Sequence, residues 1–356
     1  MRKLAVALAC ATMLAVCHLP ARAQSSVTLS GLLGTGVSYT TNAGPAGGGQ
    51  LQLSGTHAVP FIAMSGKEAI SGDTAAFFRL SKYAFLDTGM STPFESYVGL
   101  SSNTYGTVSL GSMYDLLADL VPFTSERYTS LLATHPGNLD RTVGNSLNST
   151  VKYKSPVFGG LQFGAMYAFG NASSTTNTGR AVGAEVSYSG GPVQGVVVLE
   201  SVNGVPYAPG QKLGITRLYG IDFSGNPTAS LFQNQDTASA GIAYADHGWR
   251  VMGNYSYTRL SAAGARETAQ SIDVGAYKYV TPQLRLGGGY SYTTLDPYKW
   301  NQFHAHLDYA LSKRTSLYVL GVLQVAGSGQ LAVMRNQPPA TKSQQLVLEA
   351  GMTHLF

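Results

Sequence analysis

Cysteine is nearly absent from this 356-residue chain: its two cysteines, Cys10 and Cys17, both sit close to the start. That start reads as an export leader. Arg2 and Lys3 give a positive opening, Leu4 to Val16 an apolar run, and Ala21-Arg22-Ala23 a small-residue cleavage site. Residues 1–23 are therefore expected to be a cleaved signal peptide, with the mature chain starting at Gln24. A lipoprotein reading of Leu14-Ala15-Val16-Cys17 is weaker, because Val16 is bulkier than such sites prefer and the A-x-A site follows closely. Both thiols leave with the leader. The mature chain then has no disulfide and no cysteine metal site, and it can cross an oxidising compartment without mispairing.

Long hydrophobic runs are missing too. The leader's run is too short to span a bilayer, and nothing after residue 23 approaches the ~20 apolar residues a spanning helix needs. Charge is scarce, at 12% of residues. Losing Arg2, Lys3 and Arg22 with the leader takes Lys plus Arg from 23 to 20 against 18 Asp plus Glu, a net of +2, so no nucleic-acid footprint remains. Catalytic signatures are missing as well: there is no G-x-S-x-G elbow, phosphate-binding glycine loop, Cys/His metal motif or calcium loop. No enzyme and no cofactor is expected.

What the chain does have is glycine (42), tyrosine (21) and period-two alternation. Phe303, Ala305, Leu307, Tyr309 and Leu311 share one parity, while Gln302, His304, His306 and Asp308 share the other. Successive strand residues point to opposite faces, so such a segment has one face in oil and one in water. The same pattern recurs in Val151 and Tyr153 against Lys152 and Lys154, and along Gln345–Phe356. About sixteen such segments follow Gln24, close to the ~9–11 residues a tilted membrane strand needs. Short Gly/Pro/Asn/Asp turns alternate with long connections such as Tyr114–Asn148 and Ser201–Asp236. These features point to an all-β fold: a sixteen-stranded antiparallel transmembrane β-barrel, residues 24–356, forming one domain in the cell outer membrane. A soluble sandwich fits less well, because its inward faces would be apolar.

Several stretches together resemble the trimeric general porins of Gram-negative outer membranes, of the β-proteobacterial type. They are Ser26–Gly31, Tyr97–Ser102 with Tyr105–Gly111, Tyr114-Asp115, Val151–Pro156, Asp308–Thr315 and Gly351–Phe356, in family order. The resemblance implies a homotrimer and passive diffusion of ions and small hydrophilic solutes. It also implies that the third long loop, Tyr114–Asn148, folds inward to set the constriction. That loop is acidic, through Asp115, Asp119, Glu126 and Asp140. Carboxylates facing basic wall residues would create a transverse field. The wall candidates are Arg79, Lys152 and Lys154, followed by Lys82 and Arg285. Phe61, Ser65 and Ser112-Met113 stand where members usually carry arginines or an Arg-Gln pair, leaving the sign of ion selectivity open and allowing a wider or less polar eyelet.

His304, His306 and Asp308 are expected to line the lumen. Polar lining is a better reading of them than a metal site, and protonation near pH 6 would add positive charge there. The end of the chain, with Met352, His354 and Phe356, resembles the signal read by the outer-membrane assembly machinery. Trimer contacts are expected at Gly31, Gly34, Gly36, Gly99 and Ala350. The long loop 201–236, with Tyr207, Lys212, Arg217, Tyr219 and Phe223, reads first as a solvent-exposed external loop, the alternative being that it reaches over the entrance and adds solute specificity. A substrate-specific channel with a solute-binding constriction is the alternative to general diffusion; an outer-membrane hydrolase or an adhesin fits the residues less well.

Overall fold

The computed structural model describes residues 26–44, 47–54, 58–125, 131–170, 178–335, 337 and 339–356; the expected leader and Glu126 lie outside them. Among the described residues no helix is long and apolar enough to cross a membrane. Sixteen antiparallel strands form one sheet that closes on itself. In chain order they are β1 (Ser26–Thr40), β2 (Gln50–Ser54 and Phe61–Ser71), β3 (Thr74–Ala84), β4 (Ser91–Ser102), β5 (Gly106–Tyr114), β6 (Ser146–Lys154), β7 (Leu161–Phe169) and β8 (Arg180–Gly190). The second half comprises β9 (Val193–Tyr207), β10 (Leu231–Asp246), β11 (Trp249–Ala262), β12 (Ala265–Tyr279), β13 (Leu284–Leu295), β14 (Tyr298–Ala310), β15 (Thr315–Ala326) and β16 (Gln344–Leu355). Each expected strand is present. Both pieces of β2 pair with β1, the first beside its outer half and the second beside its inner half.

The alternation in sequence becomes an inside and an outside. Along β14, Phe303, Leu307 and Tyr309 are exposed on the outer wall, while Trp300, Gln302, His304, His306 and Asp308 are buried within. Exposed Val98, Phe163, Leu199, Ile242 and Val274 belong to the same outer band, where lipid replaces water as solvent. Not all of the inner face is polar. Met166 and Ala168 on β7 point inward and are buried, although the alternation there suggested a wet interior.

The largest difference from expectation lies at the outer rim. The β9–β10 ladder continues past Glu200 through Ser201↔Asp236 to Tyr207↔Leu231, with one register shift, so the expected long loop shrinks to residues 208–230. This loop is only partly solvent-exposed: Lys212, Arg217 and residues 224–228 face out, but an apolar set turns inward. Leu213, Ile215, Leu218, Tyr219 and Phe223 are buried with Leu260, Leu295 and Trp300 of the inner wall. Leu331 of the last loop donates its N–H to Gly214 O at 3.0 Å, tying two loops together over the entrance. Of the glycines expected at trimer contacts, Gly34, Gly36 and Gly99 share the inward parity; Ala350 is outward and exposed.

Closure joins β1 to β16 from Leu32↔Leu355 to Thr40↔Val347. Phe356 extends the seam: it exchanges two backbone hydrogen bonds with Gly31, each 3.0 Å. Its ring lies over Gly31, where a Cβ would come 2.5 Å from Phe356 Cζ and 2.7 Å from the Phe61 carbonyl oxygen. Glycine is required by this close approach. Met352 is exposed on the outer face, and His354 Nδ1 is 2.9 Å from Thr315 Oγ1 of β15. Deleting Phe356, or replacing Gly31→Val, is expected to lower the folded fraction in refolding assays read by heat-modifiable gel mobility. Unpaired backbone groups in lipid cost several kcal/mol each; a wild-type folded yield in both variants would contradict this account of closure.

Candidate functional site

After Tyr114 the chain turns into the barrel. The described residues 115–125 and 131–145 lie within the lumen, beginning with a 3₁₀ helix, Leu116–Phe123, that contains Pro122. Leu116, Leu117, Leu120 and Phe123 are buried against Met166, Ala168, Ala181, Val196, Val198, Ala243 and Met252 of the wall. Burying each of these side chains contributes about 1.5–3 kcal/mol. The wall makes room with glycines: a Cβ at Gly241 would lie 2.6 Å from Phe123 Cβ, and one at Gly289 would lie 2.4 Å from Ser125 Cβ. Farther on, Leu132 and Ala133 pack on Tyr318, Leu320, Val322 and Val347.

Polar bonds then fasten the loop. The Ser125 N–H donates to Asp273 Oδ1 at 2.9 Å, and Ser125 Oγ is 2.7 Å from His304 Nε2. His135 bridges Asp140 (Nδ1 to Oδ2, 2.6 Å) and Asp273 (Nε2 to Oδ2, 3.2 Å). Ser256 donates its hydroxyl to Asp140. Gln302 donates to the Leu132 and Thr134 carbonyls, each at 3.3 Å, and Arg250 to the Pro122 carbonyl at 3.1 Å. Burial disfavours charge on His135 and Asp140, but mutual attraction wins. His135 is held well above the usual imidazole range, and Asp140 is lowered to about 2.

Those bonds correct the expected charge pattern. Asp115 and Asp140 do not face the passage: both are buried, Asp115 on Arg141 (Oδ2 to Nη2, 2.5 Å) and Asp140 on His135. A carboxylate enclosed by its own loop's cation has no field left to project across the lumen. Asp119 is half-exposed and pairs with Lys154 Nζ at 2.5 Å; Lys154 also bonds Glu185. Lys152 donates to the Tyr114 carbonyl at 2.5 Å. Lys82 is not a wall residue: it is exposed on the outward parity with Leu80, and the register puts it beside exposed Ile62. Arg285 faces inward near the opposite rim, bonded to Asp308 at 2.8 Å. His304 and His306 face inward but are covered, so they do not line open water; His304 anchors the loop, and His306 lies 3.6 Å from Asp308.

One open space among the described residues lies between this loop and β1–β5; another, of about 620 Å³, is bordered by Asn138, Arg141, Val202, Tyr207 and Lys212. The first, a cavity of about 460 Å³, is bordered by Leu32, Phe61, Arg79, Tyr83, Phe94 and Tyr114 on the wall and by Val121, Leu131 and Val143 on the loop, with Arg335 entering from the last loop. Arg79 bonds Glu95 at 3.2 Å and sits 5.7 Å from the Phe61 ring centre. Phe94 reaches the lumen through a β-bulge. Ser81 pairs with Glu95 and Lys82 with Pro93, leaving Phe94 as the extra residue turned inward. Sequence reasoning missed Phe94, Tyr83, Tyr114, Arg335, Arg141, His135 and Asp273. For Arg335 a signal existed, a basic residue in a long loop, and the same test applied to the third loop's acids would have found it.

Comparison with known proteins agrees with this geometry. Residues 5–321 match the family model described as Gram-negative porin. The outer membrane porin protein 32 of Delftia acidovorans is 27% identical over 350 residues, 90% of this chain and 87% of that protein. Among solved structures, the anion-selective porin from Comamonas acidovorans superposes with a TM-score of 0.78 at 22% identity, covering 94% of this chain and 100% of that one. OmpT of Vibrio cholerae gives 0.70 at 12% identity, covering 93% and 98%. With the family matched along nearly the whole barrel, the chain belongs to the Gram-negative porins, channels of the outer membrane that carry out no catalysis.

Proposed function

We propose that the mature chain, freed of residues 1–23, is a general diffusion porin that passes ions and small hydrophilic solutes, narrowed where the loop 114–148 faces Arg79 and Arg335. The observation that carries this reading is the inward loop itself, bonded to the wall from Glu200 to Gln302 while leaving the β1–β5 side open. Charge at the opening is modest. Arg79 and Arg335 face it, and Glu95 offsets one of them. A weak anion preference follows. The relative titled anion-selective agrees in sign, although this chain lacks the arginines expected at Phe61 and Ser65.

The working unit is proposed to be a homotrimer in outer-membrane lipid, inserted by the assembly machinery through the segment carrying Met352, His354 and Phe356. An apolar groove on the outer wall, lined by Val27, Phe78, Val98, Leu100, Val108 and Leu110, supports close approach of a neighbour along β1–β5.

Planar-bilayer recording of the refolded protein across a KCl gradient is expected to give conductance steps in threes and a small anion-selective zero-current potential. Arg335→Glu is expected to reverse its sign; an unchanged potential would remove Arg335 from the passage. The loop fastening makes a separate prediction with a defined pH window. His135 is raised, so its contribution is complete below the ordinary imidazole pKa and is lost as pH climbs through the folded value. Asp140 is depressed, so its contribution is present above the ordinary value of 3.8 and fades as pH falls toward about 2. Open-channel noise is expected to stay low from about pH 4 through neutrality. His135→Ala at neutral pH should raise noise and mean conductance, and equal traces for the two proteins would argue against the fastening.

A further inference from the structure

The passage carries more aromatic surface than transport of ions requires. Phe94 stacks on Tyr83 with ring centres 4.4 Å apart and interplanar angle 22°, meets Tyr114 edge-on at 5.2 Å, and meets Phe61 edge-on at 6.2 Å. The Tyr83 and Tyr114 hydroxyls are 2.7 Å apart, which fixes the two rings. All four rings are half-buried, and all border the same open cavity as Arg335. Apolar ring surface facing the water of a narrow passage is costly to hydrate, so a solute that covers it gains free energy. Elsewhere the apolar inner wall is hidden: the β7–β11 patch lies under Leu116–Phe123. Among the described residues the β1–β5 rings border an open cavity instead, and the bulge adds Phe94 to them.

The charges beside the rings give them a polarity. Among the described residues Arg79 is committed to Glu95, which leaves Arg335 as the described cation at this opening that no described carboxylate offsets. A planar ring would stack on the Phe94 and Tyr83 cluster while a single anionic group met the Arg335 guanidinium, which offers a fork of donors suited to carboxylate. We infer that the eyelet transiently retains aromatic monocarboxylates and passes them in preference to aliphatic ones of comparable size. This rests on the diffusion-channel reading and names a solute class within it; passage of other small solutes continues.

The test uses the refolded full mature protein in planar bilayers, with bi-ionic potentials giving the permeability of benzoate relative to acetate and to cyclohexanecarboxylate, and KCl steps recorded in the same membrane. Benzoate is expected to exceed its free-solution mobility ratio to acetate by about three- to tenfold, with a saturable reduction of KCl current, and to exceed cyclohexanecarboxylate. Phe94→Leu, which keeps an apolar side chain of similar bulk, should return the benzoate advantage over cyclohexanecarboxylate toward unity, and Arg335→Gln should weaken the saturable block of KCl current by benzoate. KCl steps accompanied by a benzoate ratio equal to its mobility ratio would overturn the inference alone. Equal preference for benzoate and cyclohexanecarboxylate would also overturn it, by showing an apolar slot indifferent to aromatic rings. Absence of KCl steps would overturn the channel reading beneath it.

Discussion

Hydrogen bonding of the backbone in lipid is the constraint on which everything else here depends. A strand that crosses the bilayer has no water to satisfy its N–H and C=O groups, so each must have a neighbour on both sides and the sheet must close. The β1–β16 seam meets that demand, with Phe356 extending the ladder to Gly31. Once the sheet is closed, period-two alternation sorts every side chain to oil or to lumen. The sixteen strands then act as one cooperative unit, because removing any of them exposes two edges.

Closure also relocates the core. In a water-soluble sandwich the apolar inner faces pack on each other; here the outer face is apolar because lipid touches it, and the lumen would be free to fill with water. Instead the described parts of the inward loop, residues 115–125 and 131–145, supply an internal core of their own, with Leu116, Leu117, Leu120 and Phe123 against one arc of wall and Leu132 and Ala133 against another. Loop residues 208–230 repeat the device at the entrance. The proposed passage is consequently displaced toward β1–β5, where the described residues leave a cavity between wall and loop. Its aromatic and arginine lining comes to matter because the loops occupy much of the lumen elsewhere.

Strand number and facing were legible in the sequence because both follow from local periodicity, as the Phe303/His304 alternation illustrates. Loop packing was not, since it depends on which wall residues the barrel brings opposite each other. Asp115 and Asp140 looked like free carboxylates because their partners Arg141 and His135 matter only once the loop folds back on itself. Asp273, 138 residues beyond His135, could join them only through the barrel. Lys82 was misplaced by reading a cation near the loop as lumenal without applying parity to it. Phe94 was hidden by a bulge, a one-residue insertion that breaks the periodicity on which facing was assigned. Phe61 at a usual arginine position was the part of the eyelet that the chain displayed locally; whether that meant a wider or a less polar opening depended on neighbours such as Phe94 that only folding brings to it.

The central claim, that the inward loop sets the passage while the closed sheet stands without it, is most directly tested by the single-channel conductance of a chain in which residues 118–139 are replaced by a short Gly/Ser link. The sheet's hydrogen-bond ladder does not run through the described residues of that stretch, so the barrel is expected to fold, its conductance to rise, and its KCl selectivity to fall toward the mobility ratio of the free ions. A folded barrel with wild-type conductance would contradict the claim and place the narrowest point elsewhere.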